Sequence, residues 1–493
     1  MAFDIKNFKE YRENNRLEAK SATWELPGSI WETYSAFANT YGGIILLGAK
    51  EQSDGSFTSS GLFDCDKIMK DFWNIINNSN KVSVNLLTEN SVKTHTLHDG
   101  SFVVSIEVPR AERSLRPVFI NNNVYEGSYR RNGDGDYHCS KREVNQMIRD
   151  AAEATPDMKI IEEFSIEELN QDTIRAYRRR HQLYSPHHPW EEFPDDQYLV
   201  MIGAAARKEG KILPTAAGLL MFGCEYQIIR VFPEYFLDYR EYDSTSGNDW
   251  IDRIYSTAGT WAGNVFDFFY SVSERLYKCI KVPFKLELVD HVMTRVGETP
   301  MHIAIREALV NCITNADFFI PSGIVVINKP DFISISNPGD IRVGKNEMLA
   351  GGVSDARNKS LMKMFNLLGI GERAGSGVPR IFDTWRNLSW ALPSVSEDFK
   401  ALRTTLLLPV GDKVGDKVGD KTHKNIQYKD FEDTSQIIIE YLKEHGVSKA
   451  SEISCAINLG PSRTRQVLSL LCESGEIFAI GVNRGRKYSV KKD

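Results

Sequence analysis

The sequence predicts a multidomain α/β protein, with strands and helices alternating inside separate folding units, and three stretches carry that expectation. Residues 17 to 20 alternate apolar and charged, apolar positions from Ile30 recur at helical spacing, and Ile44-Ile-Leu-Leu47 forms an apolar run: strand, helix, strand. A second helical pattern starts at Pro300 and precedes two β-rich runs, Ile324-Val-Val-Ile327 and Phe332-Ile-Ser-Ile-Ser336. A tail reading helix, helix, helix, hairpin then follows a perfect repeat that runs from Val410 to Lys421. At 493 residues the chain has room for about three or four domains of ordinary size.

Composition narrows the class. The apolar share of 42% and charged share of 26% describe a soluble globular protein. No apolar run approaches the roughly 20 residues that span a bilayer, and the opening Met-Ala-Phe-Asp-Ile-Lys lacks a signal-peptide pattern, so no membrane association and a cytoplasmic location are expected. Cysteines at 65, 139, 224, 279, 312, 455 and 472 are scattered and odd in number, which reads as reduced thiols. The net charge of −6 gives no global attraction to nucleic acid, so any such binding must come from local basic surfaces.

In the first unit, alternation puts Leu17 and Ala19 on one strand face and Glu18 and Lys20 together on the other. The helix through Ile30, Tyr34, Phe37, Ala38 and Tyr41 stops at Gly42-Gly43, and Glu51 ends the strand that follows. Glu13-Asn-Asn-Arg-Leu-Glu18-Ala-Lys20, Ala36-Phe-Ala-Asn-Thr-Tyr-Gly42-Gly43 and the strand ending in Leu47-Gly48 together resemble the AlbA-like domain of the Schlafen family, over about residues 1–155. The resemblance implies a nucleic-acid-binding domain. In nuclease members three acidic residues form a metal-dependent RNA-cleaving site, which falls here on Glu13, Glu18 and Glu51. Converging carboxylates repel one another until a hard cation, Mg²⁺ or Mn²⁺, neutralises them and activates water. Lys20 would then steady charge on a phosphate oxygen. The competing reading makes Glu18 and Lys20 a structural ion pair, with Glu13 and Glu51 as solvated charges.

Basic surfaces are expected at Arg110, Arg113 and Arg116, ahead of an edge strand at Pro117-Val-Phe-Ile120, and at Arg130 and Arg131, after a strand through Val124 to Tyr129. Tyrosine interleaved with arginine suits phosphate contact and base stacking. Arg178-Arg-Arg-His181 reads as the polar side of a helix that ends before Ser185, with His187 and His188 in a loop. A connector at 156–285 contains a buried helix at Thr215 to Gly223 and a strand at Phe236 to Tyr242.

From Pro300, Ile305, Leu309 and Ile313 recur four apart on a core face, and Glu307, Asn311 and Asn315 recur four apart on a polar one. This resembles the N-box helix of GHKL (Bergerat-fold) ATP-binding domains, an α/β sandwich placed at 286–409. The resemblance assigns Glu307 to orienting the attacking water and Asn311 to Mg²⁺ held with ATP. Asn337-Pro-Gly339-Asp, Arg357-Asn358 and Gly371-Glu-Arg-Ala-Gly375-Ser-Gly377 complete the nucleotide-binding set, similar to a variant once labelled divergent AAA or helicase-related and found behind Schlafen-type domains. Glycines at 375 and 377 let backbone amides approach phosphate. Two positions depart from the family: an amide stands at Asn337 where an Asp contacts adenine, and Asn315-Ala-Asp317-Phe318 replaces His-Arg-Asp-Tyr. No Walker-type phosphate loop is present.

The Val-Gly-Asp-Lys units cannot bury a continuous face, so 410–432 is expected to be a linker. Residues 433–493 resemble a winged helix-turn-helix, with Ser462, Arg463, Arg465 and Gln466 opening a recognition helix and Arg484, Arg486 and Lys487 on the wing. Together the resemblances imply an ATP-binding nucleic-acid effector and metal-dependent endoribonuclease directed at RNA or tRNA, in phage defence or stress, and a homo-oligomer. The alternative is a non-enzymatic, ATP-responsive transcriptional regulator that binds DNA through both terminal domains.

Overall fold

The computed structural model describes residues 13–53, 56–97, 99–243, 249–279, 286–289, 292–295, 299–371, 375–388, 390–398 and 400–410, and in the C-terminal part 438–439, 441–443, 445–456, 464, 467–468, 471–472, 477–480 and 487–490. It divides into two compact units, one of residues 1–111, 115–144 and 414–493, the other of 112–114 and 145–413.

The first unit begins with β1 (Leu17–Lys20), α1 (Ile30–Asn39), β2 (Gly43–Leu47), β3 (Ala49–Glu51) and β4 (Phe57–Ser59), followed by α2 (Cys65–Ile76), β5 (Val92–Thr96) and β6 (Phe102–Val108). Four strands form a sheet in the order β1-β2-β6-β5, with β1 parallel to β2 and the remaining pairs antiparallel. Period-two alternation divides it between two cores. Ile45, Leu47, Val104 and Ile106 pack with Phe37 and Phe72, whereas Ile44, Leu46 and Val103 pack with Leu17 and Phe57. The expected single strand from Ile44 to Glu51 is broken at Gly48, whose φ of +80° turns the chain so that β3 pairs with β4 in a separate ladder.

The Ala-Phe-Ala-Asn-Thr run has a structural meaning. Asn39 Nδ2 donates to the carbonyls of Val118 (2.8 Å) and Tyr129 (3.0 Å), and its Oδ1 accepts from the Val118 amide (2.8 Å). Irregular backbone at 118, and the carbonyl of Tyr129 at the start of a strand, are therefore bonded by a helix side chain. Accordingly the strand expected at 117–120 is reduced to isolated bridges, and the one expected from Val124 starts at β7 (Tyr129–Asn132), which pairs with β8 (Gly135–His138). Helix α3 (Lys141–Ala151) follows, and the division between the units falls inside it.

The second unit opens with α4 (Gln171–Tyr184), α5 (Asp195–Ile202), β9 (Ala205–Lys208), β10 (Lys211–Pro214), α6 (Ala216–Phe222) and α7 (Glu225–Val231). Next come β11 (Leu237–Glu241), β12 (Asp252–Tyr255), α8 (Val265–Cys279), β13 (Leu286–Val289), β14 (Val292–Arg295), α9 (Pro300–Asn315), β15 (Ile324–Asn328) and β16 (Phe332–Pro338). It closes with α10 (Lys345–Ala350), α11 (Lys359–Leu367), α12 (Gly377–Asn387), β17 (Ser394–Asp398) and β18 (Arg403–Pro409). Six strands make one sheet in the order β12-β11-β15-β16-β18-β17, and β11 pairs with β15 in parallel from Leu237 opposite Ile324 to Glu241 opposite Asn328. One hydrophobic core runs from Ile161 to Leu408. The boundary expected between connector and nucleotide domain at 285/286 therefore cuts through a shared sheet and core.

The 411–432 part of the expected linker lies outside the described residues. Beyond it, Ile438, Ile439 and Leu442 pack with Ile453 of α13 (Ala450–Ala456) and with Val467, Leu468 and Leu471. Strands β19 (Ser448–Lys449), β20 (Ile477–Ile480) and β21 (Lys487–Val490) form a sheet in the order β19-β21-β20. No helix among the described residues is long and apolar enough to cross a membrane.

Candidate functional site

Two places gather the chemistry-bearing residues, one in each unit. In the first, β1 places Glu18 and Lys20 on one face as expected: Glu18 Oε1 accepts from Lys20 Nζ at 2.7 Å. Glu18 Oε2 accepts from Arg131 Nη2 at 2.6 Å, and Arg131 Nη1 donates to Asp136 Oδ1 at 2.8 Å. The Arg131 side chain has no solvent exposure. Burial disfavours its charge, but Glu18 and Asp136 outweigh that and hold the guanidinium protonated. Arg131 is thus a buried counter-ion to Glu18, correcting its expected place on a nucleic-acid surface. Its neighbour Arg130 faces the other way along β7 and pairs with Glu143 at 2.9 Å.

Glu13 accepts the Ala19 amide on Oε1 at 3.0 Å. Burial, then the charges of Glu18 and Glu51, push its carboxyl up to about 7. The three carboxylates feel one another, but Glu51 is exposed on β3 and both oxygens of Glu18 already have cationic partners. Among the described residues no group of three or more His, Cys, Asp or Glu is arranged to hold a metal ion. Arg113 and Arg116 are likewise not an open basic patch: Arg113 binds Asp355 and the Asp150 carbonyl, and Arg116 is buried. Arg463, Arg465, Arg484 and Arg486 lie outside the described residues.

The second place is a cavity of about 140 Å³ in the other unit. Thr299 caps α9, its hydroxyl accepting the His302 amide at 3.5 Å, and Pro300 opens the helix. Ile305, Leu309 and Ile313 are fully buried in the core, which turns Glu307, Asn311 and Asn315 along one cavity wall. Asn337 of β16 and Thr404 of β18 supply the sheet side, and Gly375, Gly377 and Val378 bring the start of α12 to the same space.

Asn311 Nδ2 is buried there without a hydrogen-bond partner among the described residues. An unpaired buried amide costs about 1–3 kcal/mol, so this position is suited to a polar ligand. Gly377 lies against Glu307: a Cβ added to it would sit 2.2 Å from Glu307 Oε1. Gly375 has φ +69°, and a Cβ there would meet the Val353 carbonyl at 2.6 Å. With backbone this close and a helix N-terminus at the cavity, phosphate oxygens would find amide donors and a favourable dipole.

Three expected nucleotide residues do not line the cavity. Arg357 is buried behind it, donating to Asp150 Oδ1 (2.9 Å) and Oδ2 (2.8 Å) and to Asp340 Oδ1 (3.1 Å). Gly339, at φ +103°, makes room for Arg357, whose Nη1 would be 2.2 Å from an added Cβ. Asn358 Nδ2 donates to the carbonyls of Thr314 (3.2 Å) and Ala316 (2.8 Å), satisfying groups at the end of α9. In their place the structure brings Asp340, Arg342 and Asp355 to the lining. Arg342 is buried, and burial lowers its guanidinium below the usual arginine range. Asp340 closes the Asn337-Pro-Gly339-Asp motif, whereas Arg342 and Asp355 stand in loop sequence with no periodicity to mark them.

Comparison with known proteins separates three segments. Residues 7–140 match the family described as "Schlafen, AlbA_2", and residues 322–406 match "Putative ATP-dependent DNA helicase recG C-terminal". Residues 145–238 match a "Domain of unknown function (DUF8451)". Helix α9 precedes the second of these spans. No curated protein matches the chain. Similar solved structures include the DIP2311 protein of Corynebacterium diphtheriae, 16% identical, covering 97% of this chain and 92% of that one, with a TM-score of 0.41. Another is the N-terminal domain of a helicase RecG-related protein of Nitrosomonas europaea, 28% identical over 27% of this chain and 90% of that one, with a TM-score of 0.22. The chain thus carries a Schlafen AlbA_2 domain and a domain of the helicase-related C-terminal type.

Proposed function

We propose that this protein binds ATP with Mg²⁺ in the cavity beside α9 and uses that occupancy to govern nucleic-acid binding. The observation that carries the reading is the orphaned Asn311 amide, held on the cavity wall one helical turn from Glu307 and beside the glycine-led start of α12. Asn311 would hold the cation, the α12 amides the phosphates, and Glu307 a water at the terminal phosphate. The metal supplies charge neutralisation on the phosphate oxygens. Titration calorimetry with Mg-ATP tests this: Asn311→Ala should weaken binding by about tenfold, about 1.4 kcal/mol. Wild-type affinity in the variant removes the assignment.

A second reading, metal-dependent cleavage of RNA by the N-terminal domain, is favoured by the Glu13 carboxyl, which Glu18 and Glu51 raise to about 7 after burial. Such a carboxyl gains from a nearby cation. Labelled tRNA and single- and double-stranded DNA, with Mn²⁺ or Mg²⁺ and with or without ATP, are the substrates to try. Glu18→Ala is a poor probe by itself, because it strands buried Arg131; Glu13→Gln and Glu51→Ala leave that pair intact. Cleavage lost in both supports the nuclease. Binding without cleavage in every condition supports the ATP-responsive DNA-binding regulator, with the C-terminal part acting as a winged helix.

A further inference from the structure

Two residues that line the cavity are partners of one helix, and a third reaches that helix through Arg113. Asp340 Oδ1 accepts from Gln146 Nε2 of α3 at 2.5 Å. Arg342 Nη2 donates to the Asp150 carbonyl at 3.2 Å, and its Nη1 to the Ala356 carbonyl at 3.0 Å. Asp355 binds Arg113, whose Nη1 in turn donates to the carbonyl of Asp150 at 2.7 Å. Behind them, buried Arg357 bridges Asp150 and Asp340. One helical step away, Arg149 Nη2 donates to Asp317 Oδ2 at 2.7 Å, just past the end of α9, the helix that carries Glu307 and Asn311.

Gln146, Arg149 and Asp150 therefore hold the cavity from outside its lining. A network of buried charges tolerates little rearrangement, because any partner left unpaired is a buried, uncompensated charge. A ligand that draws on Arg342 or Asp340 must change what those groups offer α3.

Resting on the nucleotide reading above, we infer that the 145–151 part of α3 is a positioning and reporting element for the nucleotide cavity. Gln146 sets Asp340, Asp150 sets Arg342 and Arg357, and nucleotide occupancy in return sets the order of the helix. Linkage makes the effect reciprocal: whatever factor α3 contributes to nucleotide affinity, the nucleotide contributes to the stability of α3. The helix is also where the chain passes from the first unit into the second, so its order is a natural output.

The experiment is calorimetry paired with hydrogen exchange on the full chain, with Mg-ATP as the probe. Wild type should bind, and peptides covering 145–152 should exchange about fivefold more slowly when it does. Gln146→Ala should weaken binding by about fivefold and lose that protection. Gln146→Glu, which sets a second carboxylate against Asp340, should do so more strongly. Arg175→Ala, a surface pair with Asp172 elsewhere in the unit, should change neither. Thermal melting checks that the variants fold; should Gln146→Ala fail that check, the exchange response of wild type alone decides. Nucleotide that binds wild type with no change at 145–152 overturns the inference and leaves the nucleotide site standing. Unchanged affinity in a folded Gln146→Ala overturns it too. Failure of wild type to bind nucleotide at all overturns the nucleotide reading and the inference with it.

Discussion

Arg130 and Arg131 are neighbours of one kind in the sequence and of two kinds in the fold. Alternation along β7 sends one outward to Glu143 and the other into the space between Glu18, Asp136 and the ring of Phe37, 5.2 Å from its guanidinium. Removing the buried one takes the buried cation away from two carboxylates, so Arg131→Ala should cost the N-terminal unit about 3–5 kcal/mol in urea unfolding. Arg130→Ala should cost less than about 1 kcal/mol, as partly exposed pairs do. The sequence marked both as arginines beside tyrosine, and only knowing which face of β7 is covered separates them. Glu13 gives a second residue-scale prediction, with a definite sign. Its folded carboxyl, at about 7 against an ordinary 4.5, binds its proton more tightly than the unfolded chain does. The stabilisation is therefore complete below about 4.5, falls as pH rises toward 7, and is gone above it. Glu13→Gln should flatten that slope, and Mn²⁺ should raise the melting temperature of wild type near neutral pH if the carboxylates take a cation. A melt unaffected by the metal in both proteins counts against the cleavage reading.

At the scale of elements, α9 was legible because its two stripes obey the same period. Apolar residues four apart must face the core and polar residues four apart must share another face, wherever the helix sits. The start of α12 was legible for a different reason: Gly375 has a positive φ and Gly377 a contact that no side chain could share, and both leave glycine in the sequence. Arg357 and Asn358 were misplaced because a polar residue that supports a site and one that lines it look alike until the backbone is folded around them. Asn358 serves the end of α9 and Arg357 serves α3, one layer behind the cavity. The close contact at α12 supports a test of the element. In Gly377→Ala the new methyl would displace the Glu307 carboxylate, so Mg-ATP affinity and any hydrolysis should both fall, with helix content by circular dichroism unchanged. An unaltered affinity would show that the nucleotide does not use this end of the cavity.

At the scale of the whole molecule, the least legible fact was the extent of the second unit. Parallel pairing of β11 with β15 joins residues far apart in the chain, and no local pattern announces a partner at that distance. The strand at 237–241 and the helix at 216–222 were each readable from composition, yet their membership in the second unit came only with the shared sheet and core. The physical consequence is sharp. A fragment of residues 286–413 would leave β15, whose Ile324 and Val326 are fully buried, as an exposed sheet edge, and would strip Phe268, Phe269, Val272 and Leu276 of α8 from the core that α9 shares. Each fully buried aliphatic or aromatic side chain contributes about 1.5–3 kcal/mol, and a domain's net stability is only about 5–15 kcal/mol. That fragment should therefore fail to fold, expressing insolubly or binding hydrophobic dye without a cooperative melt. A fragment of residues 141–413, which keeps β11, β12 and α8 together with α3, should melt in one transition and bind Mg-ATP as the full chain does. Cooperative folding of the shorter piece would mean that the residues before 286 are an accessory layer, and that the cavity beside α9 stands without them.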